Sequence, residues 1–245
     1  MATHTAGRST GEFAAAARRR AALAEVRRAA PRLLLAAVLV WGLLCGIGYL
    51  LTRPLKGTAF ERWDSSASRR LARNRTATWN TITHWLTYFG ETITVIAICA
   101  VFFVALRIAL GRWRESMFLA VAVSGQALIF LFTQLTIERN RPPVPHLDSS
   151  PPTASFPSGH MSAATTLYVG LAIVAFHVSR AAWLRALALT AAIALPLCVA
   201  FARLYRGMHF ATDLTASVLL AAVWLTVTWA VILRGARGDR TSATP

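Results

Sequence analysis

The sequence predicts an all-α integral membrane protein: a six-transmembrane-helix bundle with an amphipathic interfacial helix between spans 1 and 2. Three observations predict it. Hydrophobic residues make up 56% of the 245 and charged residues only 15%, a balance too apolar for a soluble domain. The apolar residues fall in blocks about as long as a bilayer crossing requires. The charges mostly flank these blocks, with Arg107 near the end of one.

Residues 1–32 form a basic arm, rich in alanine and arginine. Within it, 12–28 suits a basic helix lying on the membrane surface and equally a disordered arm. Arg18, Arg19 and Arg20 do not introduce a twin-arginine signal, because Glu25, Arg27 and Arg28 follow them. The block 33–51 is long for a signal peptide and lacks a small-residue cleavage site, so it reads as an uncleaved first span. The connection 52–90 is polar and basic. Its later half carries Leu71, Trp79, Ile82, Trp85 and Leu86 at near-helical spacing, and tryptophan suits a membrane interface.

Spans 2 and 3 follow at 92–110 and 117–137, joined by the basic turn 111–115. The loop 138–158 holds a proline cluster. Span 4 covers 159–178, span 5 covers 185–202, and span 6 covers 213–233, so that 33–233 form one membrane domain and 234–245 a basic tail. An even number of spans puts both termini on one side. Arginines in the N-terminal arm, the short turns and the tail mark that side as cytoplasmic. The loops before spans 4 and 6 then share the outer face of a cell membrane. They carry Arg141, Ser158, Gly159, His160, Arg203, His209 and Asp213.

The net charge of +16 comes almost wholly from arginine; Lys56 is the one lysine. No base-reading module accompanies it, which argues against nucleic acid. Anionic lipid headgroups are the simpler partner. Cys45, Cys99 and Cys198 lie apart within apolar blocks and suggest neither a disulfide framework nor a zinc site. No carboxylate cluster has metal-ligand spacing, so no metal and no cofactor is expected. Oligomeric state is not legible.

The chemistry concentrates in two places. Ser158 and Gly159 sit where the proline-rich loop turns into a helix, whose first N–H groups and dipole favour an anion. His160, directly behind them, can exchange a proton near neutral pH. His209 and Asp213 are four residues apart and share a face if helical. A carboxylate on one imidazole nitrogen would fix the tautomer and free the other nitrogen to attack. Arg141 and Arg203 supply planar cations suited to phosphate oxygens. These are parts for phosphoryl transfer: His209 as nucleophile, Asp213 as its orienting partner, His160 as acid to the leaving oxygen. Such an acid is worth roughly 10²–10⁴ in rate. His84 and His177 fit interfacial or packing roles; His146 and Asp148, just before the P-S-G-H loop, fit a solvated loop first and a headgroup contact second. Glu138 fits an ion pair.

In these residues the sequence resembles the type 2 phosphatidic acid phosphatases, or lipid phosphate phosphatases, which are related to vanadium haloperoxidases. The family's P-S-G-H motif is complete at Pro157 to His160. Its S-R-x5-H-x3-D motif is matched by Arg203, His209 and Asp213, with Ala202 in place of the serine. Its K-x6-R-P motif is matched by Arg141 and Pro142, with Gln134 in place of the lysine. The resemblance implies that Gln134 joins Arg141, Arg203, Ser158 and Gly159 in holding phosphate, as a neutral hydrogen-bond donor. Losing a cation from a desolvated phosphate site costs on the order of several kcal/mol. Arg139 and Arg206 are the nearby candidates to replace it.

The resemblance implies a metal-independent membrane phosphatase of lipid phosphates that works through a phosphohistidine. An isoprenoid diphosphate of the undecaprenyl type leads the substrates, followed by phosphatidic acid and phosphatidylglycerol phosphate. The alternatives are a phosphotransferase with a lipid or sugar acceptor, and a catalytically weakened lipid-binding relative.

Overall fold

The computed structural model describes residues 6–149 and 153–234, with the side chains of 6–26 and 28 outside that description. Nine α-helices are seen among the described residues. Helix α1 runs unbroken over Ala6–Thr52 and includes Pro31. The boundary expected at residue 32 therefore falls inside a helix. The side chains that would show a surface helix at 12–28 lie almost wholly outside the described residues, as do residues 235–245 of the expected tail.

Among the described residues, six segments are long and apolar enough to cross a membrane: Ala29–Thr52, Thr92–Leu110, Arg114–Thr136, Gly159–Val178, Ala182–Tyr205 and Ala211–Arg234. In a bilayer only a helix satisfies its own backbone, so leucine- and alanine-rich runs of this length settle as helices. After α1 the segments are α5 (Thr92–Leu110), α6 (Arg114–Thr136), α7 (Gly159–Val178), α8 (Ala182–Tyr205) and α9 (Ala211–Thr228). A π-helical turn, Trp229–Arg234, continues α9. Leu34, Ile93, Ile108, Leu187 and Leu197 point outward, as a lipid-facing belt does.

Helix α7 is the axis of the bundle and packs on α6, α8 and α9, while α1 leans on α6 and α9. Leu44, Phe156, Leu220 and Trp224 fill one buried cluster; Leu119, Leu167 and Val199 fill another. The Trp224 indole, buried among apolar groups, donates to the Ala122 carbonyl at 3.0 Å. A buried indole N–H without such a partner would cost stability.

The connection between spans 1 and 2 folds into three short helices: α2 (Ala59–Asp64), α3 (Ser66–Arg73) and α4 (Ala77–Thr87). A 3-10 turn, Tyr88–Gly90, follows. Arg75 lies in the break between α3 and α4. Its guanidinium donates to the carbonyls of Tyr205 and Pro145, and Thr76 then caps α4 by accepting from the Trp79 amide. Helix α4 is the amphipathic one. It exposes Trp79, Ile82 and Trp85, buries Thr83 and Thr87, and packs on α8. The connection thus lies across the end of the bundle where α6 and α8 finish and α7 and α9 begin.

Candidate active site

At that end, a cavity of about 1290 Å³ brings together Gln134, Arg141, Gly159, His160, Arg203 and His209. Two of the residues expected there, Ser158 and Asp213, do not line it. Both are buried behind it.

Ser158 is the N-cap of α7, and its hydroxyl accepts from the Met161 amide at 3.4 Å. Its own amide donates to Ser217 Oγ at 2.9 Å. This corrects the expected role of the Ser158 amide as a phosphate donor. The amides of Gly159 and His160, the first two of α7, are the ones its helix leaves without an internal partner. Gly159 is fitted closely: a Cβ there would lie 2.7 Å from the Phe130 ring. Gly90 is fitted more closely still, since a Cβ would meet the His160 carbonyl oxygen at 2.5 Å. The 3-10 turn thereby buttresses the start of α7.

Gln134 also departs from expectation. Its Nε2 donates to the carbonyls of Ala154 at 2.9 Å and Pro157 at 3.4 Å. The amide is spent on holding the P-S-G-H loop, not on a phosphate oxygen. Neither candidate substitute replaces the missing cation. Arg206 donates to both Asp148, at 2.7 Å, and the Asn80 and Leu147 carbonyls, each at 3.0 Å. Arg139 turns away from the cavity to Asp64 and Asp213. Glu138, expected in an ion pair, is exposed, and the pairing falls to Arg139 instead.

Arg203 is 5% exposed. It donates through one terminal nitrogen to Thr87 Oγ1 at 3.0 Å and to Asp148 Oδ2 at 2.8 Å. Arg141 donates to the Met208 carbonyl at 2.8 Å. The Nε groups of both arginines are buried without a partner among the described residues. Two orphaned cationic donors beside a cavity are what an anion would satisfy. Burial pulls the Arg141 guanidinium below its ordinary value, opposed by Asp213 and Asp148.

His209 does not sit on a helix. It precedes α9, in a turn where Gly207 takes the left-handed φ of +76° that favours glycine. Its Nδ1 lies 2.8 Å from the Ser155 carbonyl oxygen and 3.6 Å from Asp213 Oδ2. A carbonyl only accepts, so Nδ1 carries the proton and Nε2 keeps its lone pair. The expected tautomer-fixing bond from Asp213 is thus made by a backbone carbonyl. The reason is that both Asp213 oxygens are occupied. Oδ2 accepts from the Phe210 amide at 2.9 Å as part of the α9 cap, and Oδ1 pairs with Arg139. Burial lowers the His209 pKa from 6.5, and Arg203 and Arg141 push the same way, against Asp213. The neutral imidazole is therefore the resident form at neutral pH.

Sequence reasoning missed several residues of this site. Asp148, read as solvated, ties Arg203 to Arg206; burial pushes its carboxyl up, but the two guanidiniums outweigh that and hold it below the ordinary range. Thr87, Ser155 and Ser217 act through hydrogen bonds that no motif announces. Asp64 alone left a trace, as the one aspartate in the arginine-rich connection.

Beyond the charged end, the cavity continues between α5 and α6. Val95, Ile96 and Phe103 form one wall, Val123, Leu128 and Leu131 the other. From Thr92 to Val104 it follows α5 for about 18 Å, at 1.5 Å per residue.

Comparison with known proteins places this architecture. A family model described as the PAP2 superfamily matches residues 115–236. A solved transmembrane PAP2-type phosphatidylglycerolphosphate phosphatase from Bacillus subtilis superposes with a TM-score of 0.64 at 19% identity, over 86% of this chain and 96% of that one. No curated protein matches the sequence.

Proposed function

We propose that this chain, which belongs to the PAP2 superfamily, removes phosphate from a membrane lipid through a phosphohistidine on His209. One observation carries the reading: a single cavity joins two orphaned arginine donors and two histidines to an apolar wall within the membrane-spanning region. Such a cavity fits a phosphate head and one hydrocarbon chain.

In this reading Nε2 of His209 attacks phosphorus, and the bond to the lipid oxygen breaks. His160 gives that oxygen a proton. Water then attacks the phosphohistidine, His160 takes a proton from it, and inorganic phosphate leaves with His209 neutral again. Arg141, Arg203 and the Gly159 and His160 amides stabilise the equatorial oxygens. Arg141 and Arg203 supply the positive charge that a metal ion would bring to a phosphate, which supports metal-independent chemistry. The arginine bias of the termini supports an outer-face site with both ends of the chain in the cytoplasm.

The resemblance alone points first to an isoprenoid diphosphate. The charge around the cavity favours a lipid phosphomonoester instead, such as phosphatidic acid or phosphatidylglycerol phosphate, the lipid after which the Bacillus subtilis phosphatase is named. Arg141 and Arg203 face it, but so do Glu91 and Asp148. A second phosphate would add negative charge where, among the described residues, no third arginine or lysine lines the cavity.

The test is phosphate release by the purified protein in detergent with EDTA, comparing wild type with His209→Ala on a C55 diphosphate, phosphatidic acid and phosphatidylglycerol phosphate. Release that survives EDTA, vanishes in the variant and is fastest on a monoester supports the reading. Loss of the lipid phosphate only with an added acceptor alcohol, the phosphate being recovered on that alcohol, would make it a transferase. Binding with no turnover on any lipid would make it a lipid-binding protein.

A further inference from the structure

Behind His209 lies a buried ionic cluster in which Asp213 of the family motif is joined by Arg139 and Asp64, which no motif contains. Arg139, 7% exposed, stands at its centre, with its guanidinium 4.1 Å above the Phe210 ring. One terminal nitrogen pairs with Asp213 Oδ1 and donates to Thr212 Oγ1 at 2.8 Å. The other donates to Asp64 Oδ2 at 2.8 Å. Asp64 belongs to α2 and is 1% exposed; Asp213 is fully buried. Asp64 Oδ1 accepts from the Thr212 amide at 2.9 Å, and Ser68 of α3 donates to the His209 carbonyl at 3.1 Å. The interfacial helices α2 and α3 therefore grip the turn that carries His209 at both of its ends.

We infer that Arg139 and Asp64 are positioning residues for His209: Arg139 holds Asp213 beside the imidazole and offsets its charge, and Asp64 holds Arg139 and Thr212 in place. The inference rests on His209 being the nucleophile. Its physical content is a charge balance. Two buried carboxylates share one guanidinium, so the cluster carries one net negative charge. Asp213 faces Nδ1 of His209 from α9. Arg203 of α8, Arg141 of the loop after α6 and His160 of α7 face the imidazole from the cavity side, with Asp148 behind Arg203. Without Arg139 two uncompensated carboxylates would lie behind the imidazole. A buried cluster of that kind takes up a proton, and His209 is the group able to hold it near neutral pH. A protonated His209 cannot attack phosphorus.

A second consequence separates charge from shape. Asp64 reaches His209 through Arg139 and through Thr212, whose amide and hydroxyl both donate to its carboxylate. Removing its charge leaves Arg139 paired with Asp213 alone, which favours the neutral imidazole further. The Asp64→Asn side chain is of the same size and still accepts from Thr212.

The experiment is the pH dependence of kcat/KM for phosphate release from a short-chain phosphatidic acid, for wild type, Arg139→Gln, Arg139→Lys and Asp64→Asn. His209→Ala is measured alongside. The expected result is an acid limb moved upward by roughly one pH unit or more in Arg139→Gln. In Arg139→Lys the limb stays within a few tenths of a unit of wild type while kcat falls, because the charge remains and the fork is lost. In Asp64→Asn it moves downward or stays. If Arg139→Gln does not fold, Asp64→Asn and Arg139→Lys still decide. An upward shift in either of those two overturns the inference, as does an unmoved limb in folded Arg139→Gln. If His209→Ala keeps its activity, the nucleophile assignment has failed instead. If His209→Ala is inactive and the limbs do not move as stated, only this inference has failed.

Discussion

The Nδ1 of His209 donates to the carbonyl oxygen of Ser155 at 2.8 Å, so the tautomer is set by the backbone just before the P-S-G-H loop. The two halves of the site are tied by this bond. Ser155 is held in turn, its amide donating to the Arg139 carbonyl at 2.8 Å and its hydroxyl to the Asn140 carbonyl at 3.0 Å.

Asp213→Asn should therefore be a partial loss. Where a carboxylate alone fixes a catalytic histidine's tautomer, its amide costs about 10⁴ in kcat. Here the carbonyl keeps the tautomer, and the loss should be nearer about 10², against complete loss in His209→Ala. A kcat for Asp213→Asn as low as that of His209→Ala would show that the carboxylate sets the tautomer after all.

The low His209 pKa sets the acid side of the profile. Because it is lowered from 6.5, more than half the imidazole is neutral at pH 6.5, and kcat/KM there should exceed half its plateau. Stability follows the same sign. The unfolded chain takes up this proton near 6.5 and the folded protein only at lower pH, so the contribution of His209 is complete above 6.5 and is lost as pH falls below it. Melting temperature across pH 5–7 should fall less steeply in His209→Gln than in wild type.

Leaving groups separate the role of His160. Inorganic phosphate leaves readily, and a lipid alkoxide does not. His160→Ala should cut monoester hydrolysis by roughly 10²–10⁴ and diphosphate hydrolysis much less. Equal losses on the two substrates would remove His160 from the acid role.

Gln134→Lys restores a cation at the family position. The ammonium can keep the bonds to the Ala154 and Pro157 carbonyls while adding charge to the cavity wall. Diphosphate hydrolysis should rise relative to monoester hydrolysis by roughly tenfold, the equivalent of about 1.4 kcal/mol. An unchanged ratio would mean that charge at this position does not select the substrate.

Chain recognition can be tested away from the chemistry. Ala127 lines the groove between α5 and α6 and has room beside it on the lipid side. Ala127→Trp should raise KM for long-chain lipids by roughly tenfold and leave a short-chain, water-soluble phosphate ester unaffected. Equal effects on both would place the hydrocarbon elsewhere.

The sequence by itself determined the six spans, because apolar length and helix formation in a bilayer are local properties of the chain. The ends of α5 and α7 fall where their composition changes. It also determined the residue types of the site, since phosphoryl chemistry restricts them to few kinds and short motifs carry them. The tertiary structure alone decided which groups are free to act. Gln134, Ser158 and Arg206 had the right chemistry, but their donors are taken by partners on other segments. Asp64 and Arg139 are 75 residues apart, and Asp64 and Thr212 are 148 apart. A buried hydrogen bond is saturable, so a side chain spent on one partner is lost to another, and no local pattern records which partner the fold brings within reach.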